Sequence, residues 1–468
     1  MILDKQSFFL LGIKGTAMSN ISVMLKQMGK SVTGVDINEE FITDKVLRDN
    51  EISYSTNFDD LSQINSCDVL VYSAAHKGEE NPLALEAKRQ GKLVVSQPEL
   101  IGELVQRYKT SIAVAGCHGK TTTASLCAWA LTKLEKNPGF LIGAPTFNGF
   151  GGGGMSYSDY FVIEADEYGV HPPVNKTPKL LFLHPTYTLC TNIDFDHPDV
   201  YSSLEDTKKT FLQFFSQAQH LILCASDPVL ASLLPIKHPS VVTYGLESKH
   251  DYCAEDILFE PDRTHFTVRN KGTVLGTFTT QLFGEKNVLN ALGVIALLFE
   301  LGFGASEIQA SILGFMGAKR RLELVWTDKN TYLFDDYGHH PAEIEATIEA
   351  VRSRFEGKKL HVLFQPHTYS RTAALKHEFA TALSKADFAY IMPIFPSARE
   401  KKELFNVSSA DVASEAKSGH VVAYEGAGGI LSGLASNVKR GDIILTMGAG
   451  DIYKLKDDII DVLNETQN

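Results

Sequence analysis

The stretch Gly116-Cys117-His118-Gly119-Lys120-Thr121-Thr122-Thr123 follows the short apolar run 111–115 and leads into the helix-like segment 124–134. No other feature constrains the fold as strongly, because a strand must end and a helix must begin on either side of a turn built to hold an anion. Glycines let successive backbone N–H groups face one phosphate and the helix N-terminus adds partial positive charge. Lys120 supplies a mobile cation for the terminal phosphates, and the Thr121 hydroxyl can hold Mg²⁺. Gly116 stands only three residues before Gly119, so the spacing is tighter than the general G-x-x-x-x-G-K-[ST] pattern and the loop is a variant of it. An ordinary strand-to-helix turn is the alternative. The preceding strand, the following helix and the three threonines favour a site for a nucleoside triphosphate.

At 468 residues the chain exceeds one ordinary core, and size alone suggests about three domains of roughly 100–200 residues. Hydrophobic residues make up 44% and charged residues 21%, and no apolar run is long enough to span a bilayer, which fits a soluble globular protein. Met1 to Lys5 pass almost directly into a predicted strand, leaving no room for a signal peptide, so a cytoplasmic location is expected. The six cysteines, at 67, 117, 127, 190, 224 and 253, show no C-x-x-C spacing and read as reduced thiols, with Cys117 neutral inside the loop. A net charge of −12 argues against a nucleic-acid surface. No membrane association and no obligate protein partner are expected, and anionic substrates must be met by local cations.

Three α/β series follow one another. The first opens with a strand at 8–11, the turn 12–18, a helix at 19–28 and a strand at 32–35 ending on Asp36, a βαβ nucleotide-type opening. Lys14 and Met18 replace the second and third glycines of a G-x-G-x-x-G fingerprint, so a dinucleotide site is not satisfied. Strands at 69–75 and 93–95 flank a helix at 82–90, and the first boundary falls at 107/108. The second series runs through strands at 111–115, 160–163, 188–192 and 221–223, near-continuous apolar runs suited to parallel strands covered on both faces. The segment 149–154, Gly-Phe-Gly-Gly-Gly-Gly, reads as a flexible loop, a surface excursion rather than a mobile lid. A helix at 287–299 ends this series, and the second boundary falls at 317/318. The third series has strands at 332–334, 360–364, 389–392, 421–424 and 443–447. The expected fold is thus α/β with three domains, 1–107, 108–317 and 318–468: Rossmann-like first and last, and a central P-loop ATPase-like domain with a mostly parallel sheet.

Chemistry-bearing residues cluster after strand ends. Glu164-Ala165-Asp166-Glu167 follows one strand and Asn192-Ile193-Asp194-Phe195-Asp196-His197 another. Ligands of open parallel sheets sit beyond the carboxyl ends of the strands, so both sets can converge above Lys120. Carboxylate oxygens suit Mg²⁺, a small hard ion, whereas His197 is a softer ligand than it prefers. Taken singly, Asp166, Glu167 and Asp194 read more often as solvated loop charges and His197 as a hydrogen-bonding residue. Asp335-Asp336-Tyr337-Gly338-His339-His340-Pro341 precedes a helix started by its proline, and its spacing fits no zinc pattern. Gln365-Pro366-His367-Thr368-Tyr369-Ser370-Arg371 offers an imidazole and a guanidinium, and Arg371 can clamp a carboxylate bidentately or serve as a surface ion-pair partner.

In this order the loop 116–123, Glu164 to Glu167, Asn192 to His197, Asn287 with Asn290, Lys319-Arg320-Arg321, Asp335 to Pro341 and Gln365 to Arg371 resemble the landmarks of the Mur ligases, over essentially the whole chain. The resemblance implies a domain for a UDP-sugar, a central ATP-binding domain and a C-terminal domain that closes over ATP and brings an amino acid. The turn 12–18, the Asp-Asp-Tyr-Gly-His-His-Pro segment and the Gln-Pro-His segment are most similar to the alanine-adding branch. That branch implies an ATP-dependent ligase joining L-alanine to the carboxylate of UDP-N-acetylmuramate through an acyl phosphate, in peptidoglycan precursor synthesis, with ATP and Mg²⁺. By position, Gly116, Cys117, His118, Gly119, Lys120, Thr121, Thr122, Asn287, Asn290, Arg321 and Asp336 resemble ATP-site residues. Lys120, Glu164, His197 and Arg321 resemble the catalytic set, and Thr121, Glu164 and His197 the metal ligands, with Asn192 near them. Gly12, Gly15, Met18, Ser19, Asp36 and Ser73 resemble the UDP-sugar site, and His339, His367 and Arg371 the amino-acid pocket.

Two departures keep alternatives open. The first is Thr368, which stands where the alanine-adding enzymes commonly carry arginine; Glu285-Lys286, where the family commonly shows Arg-His, bears instead on the adenine edge. Residues 138–143, Tyr168 and the long span to His197 resemble instead the ligase that reattaches recycled murein tripeptide to UDP-N-acetylmuramate. An NAD-dependent oxidoreductase would use only the first βαβ unit and leaves Lys120 unexplained, and a non-catalytic nucleotide-binding scaffold would not need both Glu164 and Arg321.

Overall fold

The apolar runs become the inner strands of three mostly parallel sheets in a computed structural model that describes residues 1–260, 263–328, 330–396, 400, 402–416 and 419–466. The chain divides into two compact units: Met1–Leu258, Thr264–Gln281 and Asn287–Ala318 form the first, and Phe259–Arg263, Leu282–Lys286 and Lys319–Asn468 the second.

In the first unit, β1 (Ser7–Leu11), β2 (Ser31–Val35), β3 (Tyr54–Ser55), β4 (Val69–Tyr72) and β5 (Leu93–Ser96) pair in parallel in the order β3-β2-β1-β4-β5. Helices α1 (Thr16–Gln27), α2 (Ile42–Asp49), α3 (Pro82–Arg89) and α4 (Gln97–Val105) accompany it, and Phe9, Leu11, Val35, Leu70 and Leu83 meet in its core. The strand order reverses between β1 and β4, so the turn after β1 and the Ser73 loop after β4 flank the crevice where such sheets bind ligands.

The same unit holds a ten-stranded sheet. Its strands are β6 (Thr110–Ala115), β7 (Gly139–Phe147), β8 (Phe150–Gly154), β9 (Tyr160–Glu164), β12 (Tyr187–Cys190), β13 (His220–Cys224), β14 (Val241–Gly245), β15 (Tyr252–Phe259), β16 (Thr264–Asn270) and β17 (Thr273–Thr280). Strands β10 (Gly169–His171) and β11 (Asn175–Pro178) form a separate antiparallel hairpin. The sheet order is β17-β16-β15-β14-β13-β12-β6-β9-β7-β8. Its helices are α5 (Lys120–Lys133), α6 (Leu204–Phe215), α7 (Pro228–Ala231), α8 (Glu285–Glu300) and α9 (Ala305–Ile312). Strand β6 lies between β9 and β12, with Val114 opposite Glu164 and Ala115 opposite Cys190. The segments after these three strands therefore start side by side.

The glycine-rich segment corrects the loop expectation, because residues 150–154 are the edge strand β8, paired antiparallel with β7. Its glycines serve close packing. A Cβ on Gly152 would run into the Ala144 carbonyl oxygen and the Asn20 amide, and one on Gly153 would meet the Asn20 backbone. Asn20 of α1 donates from Nδ2 to the carbonyls of Ile142 (3.0 Å) and Ala144 (3.1 Å) on β7. Bare glycine backbone thus lets α1 seat against the second sheet, and the two sheets belong to one unit.

The second unit carries β18 (Glu323–Asp328), β19 (Thr331–Asp336), β20 (Leu360–Phe364), β21 (Phe388–Ile391), β22 (Val421–Ala423) and β23 (Ile443–Met447), ordered β18-β19-β23-β20-β21-β22. Only β18 pairs antiparallel, at the edge. Helices α10 (Pro341–Arg354), α11 (Tyr369–Leu383), α12 (Ser409–Glu415), α13 (Ala427–Asn437) and α14 (Lys456–Thr466) complete it. Its core divides into two clusters, one around Ile344, Val362, Phe364, Phe379 and Leu445, the other around Leu363, Ile430, Leu434 and Ile459. Pro341 opens α10 as its sequence position predicts, with His340 as N-cap. Among the described residues no helix is long and apolar enough to cross a membrane.

Candidate active site

The loop after β6 has the backbone that its glycines predict. Gly116 and Gly119 adopt φ of 135° and 81°, values costly for a residue with a Cβ. A Cβ on Gly116 would strike the Thr191 hydroxyl, and one on Gly119 would lie 2.7 Å from Asn290 Oδ1. Helix α5 starts at Lys120, earlier than the apolar periodicity suggests, so that the first threonines lie in its opening turn.

Asn192 locks the loop, accepting from His118 N–H (2.9 Å) and donating to the His118 carbonyl (2.8 Å). His118 Nε2 lies 3.1 Å from Asp194 Oδ2. Cys117 Sγ donates to the Asp194 carbonyl (3.2 Å) and accepts from the Asp194 N–H (3.1 Å). Burial, with the Glu167 charge adding to it, raises the Cys117 thiol well above its usual range, so it stays protonated. Asn290 donates to Asn287 Oδ1 (3.1 Å), which ties the expected adenine-side asparagines together beside Gly119.

The Lys120 ammonium donates to the carbonyls of Gly116 (2.5 Å) and Cys117 (3.1 Å) and to both carboxylate oxygens of Glu167 (3.0 and 2.7 Å). Burial works against its charge, but the Glu167 carboxylate more than offsets this and holds its pKa above the usual lysine value. Glu167 is buried, and Tyr201 donates its phenolic hydrogen to the Glu167 main-chain carbonyl (2.6 Å). The solvated reading of Glu167 is therefore wrong. Asp166 is the more exposed member of its pair with Lys179 (2.8 Å). Burial opposes its charge, yet Lys179 and then Lys120 hold its carboxyl below the ordinary range.

Thr121 Oγ1 donates to Glu164 Oε2 (3.1 Å), and Glu164 Oε1 accepts from the Gly143 N–H (2.5 Å). The other expected metal residue, His197, sits with Glu167 (3.4 Å) and Asp196 (3.5 Å). One donor atom from each of Glu167, Asp196 and His197 falls within a 4.8 Å cluster. The oxygen-rich groups of both sets fit the ligand chemistry of Mg²⁺. Glu167 and Asp196 lie in the two runs expected above Lys120 but have no individual role in the sequence reading, and Tyr201 has no place in it. The signal for Glu167 was its place two residues beyond Ala165 in the Glu-Ala-Asp-Glu run after β9, where strand register brings it beside the loop.

In the first sheet Gly12 (φ 82°) and Ser73 adjoin, since a Cβ on Gly12 would lie 2.8 Å from Ser73 Oγ. Asp36 accepts from Lys14 N–H (2.7 Å) and Ile37 N–H (2.8 Å), and its Oδ1 lies 3.0 Å from His76 Nε2. Gly15 caps α1, while Met18 and Ser19 are buried, Ser19 donating its N–H to Gly15 O (2.8 Å) and its hydroxyl to Thr16 O (3.0 Å). These last two shape the turn. Lys14, which breaks the dinucleotide fingerprint, is buried with its ammonium on Asp44 (3.1 Å) and the Glu39 carbonyl (2.8 Å), 4.8 Å from the Tyr54 ring centre.

In the second unit Asp336 accepts from Leu322 N–H and Gly338 N–H, each 2.7 Å. Burial pushes its carboxyl up to about 6, against the pull of Arg321. Arg321 faces Glu343 (3.8 Å) and the Tyr337 ring (5.3 Å), and His339 Nδ1 lies 3.6 Å from the same Glu343. Arg320 ties the strand ends together, through Asp335 (3.0 Å) and the Gly448 carbonyl (2.6 Å). The His339 and His367 rings stand 6.1 Å apart and perpendicular. Arg371 is buried in the first turn of α11, whose N-terminal N–H groups at Tyr369 and Ser370 are capped by Glu400 (2.8 and 3.0 Å). Thr368 caps the same helix.

Sequence profiles of three domains match in succession: the Mur ligase family catalytic domain over residues 8–109, the Mur ligase middle domain over 114–298 and the Mur ligase glutamate ligase domain over 320–450. The UDP-N-acetylmuramate–L-alanine ligase of Pediococcus pentosaceus is 37% identical across 97% of this chain and 98% of its own length. The chain belongs to the Mur ligase family. Among solved structures, the UDP-N-acetylmuramate-alanine ligase of Thermotoga maritima superposes with a TM-score of 0.80 at 25% identity, over 98% of this chain and 100% of its own. A murein peptide ligase from Psychrobacter arcticus shares the fold, with a TM-score of 0.73 at 24% identity over 98% of each chain. The α/β architecture with mostly parallel sheets, expected from the apolar runs, is that of a Mur ligase.

Proposed function

We propose that this Mur ligase joins L-alanine to the carboxylate of UDP-N-acetylmuramate at the expense of ATP, in the cytoplasm, as a step of peptidoglycan precursor synthesis. The observation that carries the reading is the loop 116–123, with Lys120 set beside the buried carboxylate of Glu167 and Thr121 beside the half-buried carboxylate of Glu164. End-to-end similarity to alanine ligases supports the substrate assignment.

A carboxylate is a poor acyl donor. Transfer of the γ-phosphoryl group of ATP to one carboxylate oxygen forms the acyl phosphate and releases ADP. The alanine amine then attacks the carbonyl carbon, the C–O bond to phosphate breaks, and inorganic phosphate leaves while the amine proton passes to solvent. Three domains, 1–107 for the UDP-sugar, 108–317 for ATP and 318–468 for the amino acid, would align the reactants, which accounts for much of the acceleration. Lys120 would neutralise the transferring phosphoryl oxygens, with the backbone N–H groups of Gly116 to Thr122 around them. Thr121, Glu164 and His197 would hold Mg²⁺, which when bound would supply positive charge to the phosphate oxygens. Asn287 and Asn290 would border the adenine, with Arg321 on phosphate and Asp336 on ribose. Gly12, Gly15, Asp36 and Ser73, on the turn shaped by Met18 and Ser19, would bind the uridine diphosphate. His339, His367 and Arg371 would hold the amino acid. Thr368, in place of an arginine, favours one second reading, in which the acceptor is a recycled murein tripeptide.

The acyl-phosphate route is tested by labelling the muramate carboxylate with ¹⁸O. One labelled oxygen is expected in the released phosphate for each turnover. Unlabelled phosphate would rule out the acyl phosphate.

A further inference from the structure

Lys120 and Glu167 form a closed pair inside the site. The ammonium has three hydrogens, and they are shared among two loop carbonyls and both oxygens of Glu167. Its side chain is 14% exposed and that of Glu167 only 2%. An incoming triphosphate can engage Lys120 only by drawing it from Glu167. A carboxylate that loses its counter-charge in so buried a place is strongly destabilised, more so than the pair itself was stabilising. A free anion would leave Glu167 facing His197 Nε2 (3.4 Å), an imidazole that carries charge only when protonated, in place of the fixed lysine charge. A triphosphate accompanied by a divalent cation would not, because Glu167 and Asp196 can each bring one donor atom to the same point as His197, already proposed above as a metal ligand.

We propose that Glu167 is a positioning residue that exchanges Lys120 for the nucleotide's divalent cation, so that the loop accepts metal-bound triphosphate and discriminates against metal-free anions. This rests on the reading that Lys120 receives the terminal phosphates. In the resting protein Glu167 keeps the lysine charged and parked on the loop carbonyls. After turnover the same carboxylate takes it back as ADP and phosphate depart. By linkage, whatever cation replaces the lysine must tighten nucleotide binding, and nucleotide must tighten cation binding by the same factor.

The test is calorimetric titration of a nonhydrolysable ATP analogue with Mg²⁺ and with EDTA, on the full chain. Wild-type protein is expected to bind the metal-bound analogue about tenfold tighter or more, within the usual range for coupled ligands. Glu167→Gln keeps the shape and the Tyr201 contact, which is to the main chain, but removes the competing charge. It should tighten metal-free binding and shrink the metal preference several-fold, whereas Glu167→Asp should retain the preference. Weaker metal-free binding in Glu167→Gln, or an unchanged preference, would overturn the exchange and leave Glu167 a purely structural partner. Equal wild-type affinity with and without Mg²⁺ would overturn it without any variant. Lys120→Ala separates the two layers: if it still binds the analogue as tightly as wild type, the phosphate assignment of Lys120 itself is wrong.

Discussion

Among single residues, the most legible were those whose chemistry and backbone both demand a particular type. Gly116 and Gly119 need positive φ and have side-chain oxygens pressed against them, while Lys120 and Thr121 follow at the helix start. Glu167 was far less legible, since an acid in a loop after a strand is usually solvated and only its burial against Lys120 reveals otherwise. Asp336 was legible as a site residue but not in its environment, because its two backbone donors come from Leu322 and Gly338, one of them 14 residues away in sequence. The residue-scale prediction concerns turnover. Lys120→Ala should abolish ATP-dependent phosphate release while binding of UDP-N-acetylmuramate persists, because Lys120 belongs to the loop after β6 and the proposed sugar site to the turn after β1. Phosphate release near the wild-type rate would contradict the role of Lys120, and so would loss of sugar binding together with turnover.

Elements with one period and one partner could be read from the chain, including β1, β4, β6, β9, β12, β13, β19, β20 and β23 and the helices opened by Pro82 and Pro341, whereas the inner strands β7, β14 and β15 were not. Segment 150–154 could not. Glycine composition signals flexibility when nothing packs on it, yet here the absence of Cβ atoms is what allows Asn20 and the Ala144 carbonyl to approach. The β10–β11 hairpin was likewise hidden within the long span between Glu167 and His197, a stretch of mixed polarity. Gly152→Ala places a methyl group against backbone that has no rotamer to yield, so overpacking should cost about 1–3 kcal/mol. A lowered urea midpoint for the first unit's transition checks this, and Gly149→Ala is the contrast for space, as nothing lies within 4 Å of its added Cβ. An unchanged midpoint in Gly152→Ala would show that α1 does not depend on that glycine.

For the molecule as a whole, the three α/β series, their order and the family were legible because each series carries its own sheet and its own strand-end motif. The grouping of the first two sheets into one compact unit was not, since it depends on helix α1 and the glycine strand, contacts far apart in the chain. Acceptor choice belongs to this scale: the residues proposed for alanine lie in the second unit with Arg321 and Asp336, and the phosphate loop and the residues proposed for the sugar nucleotide in the first. Thr368 caps α11 where an arginine would have marked the pocket, so sequence alone left alanine and tripeptide both open. The most direct measurement is ADP and phosphate formation with UDP-N-acetylmuramate, ATP and Mg²⁺, with L-alanine, glycine, L-serine or murein tripeptide as acceptor. Turnover that requires the sugar nucleotide and is fastest with L-alanine, giving one UDP-N-acetylmuramoyl-L-alanine per ADP, is the predicted result. Turnover supported by the tripeptide and not by alanine, or no sugar-dependent turnover with any acceptor, would contradict it.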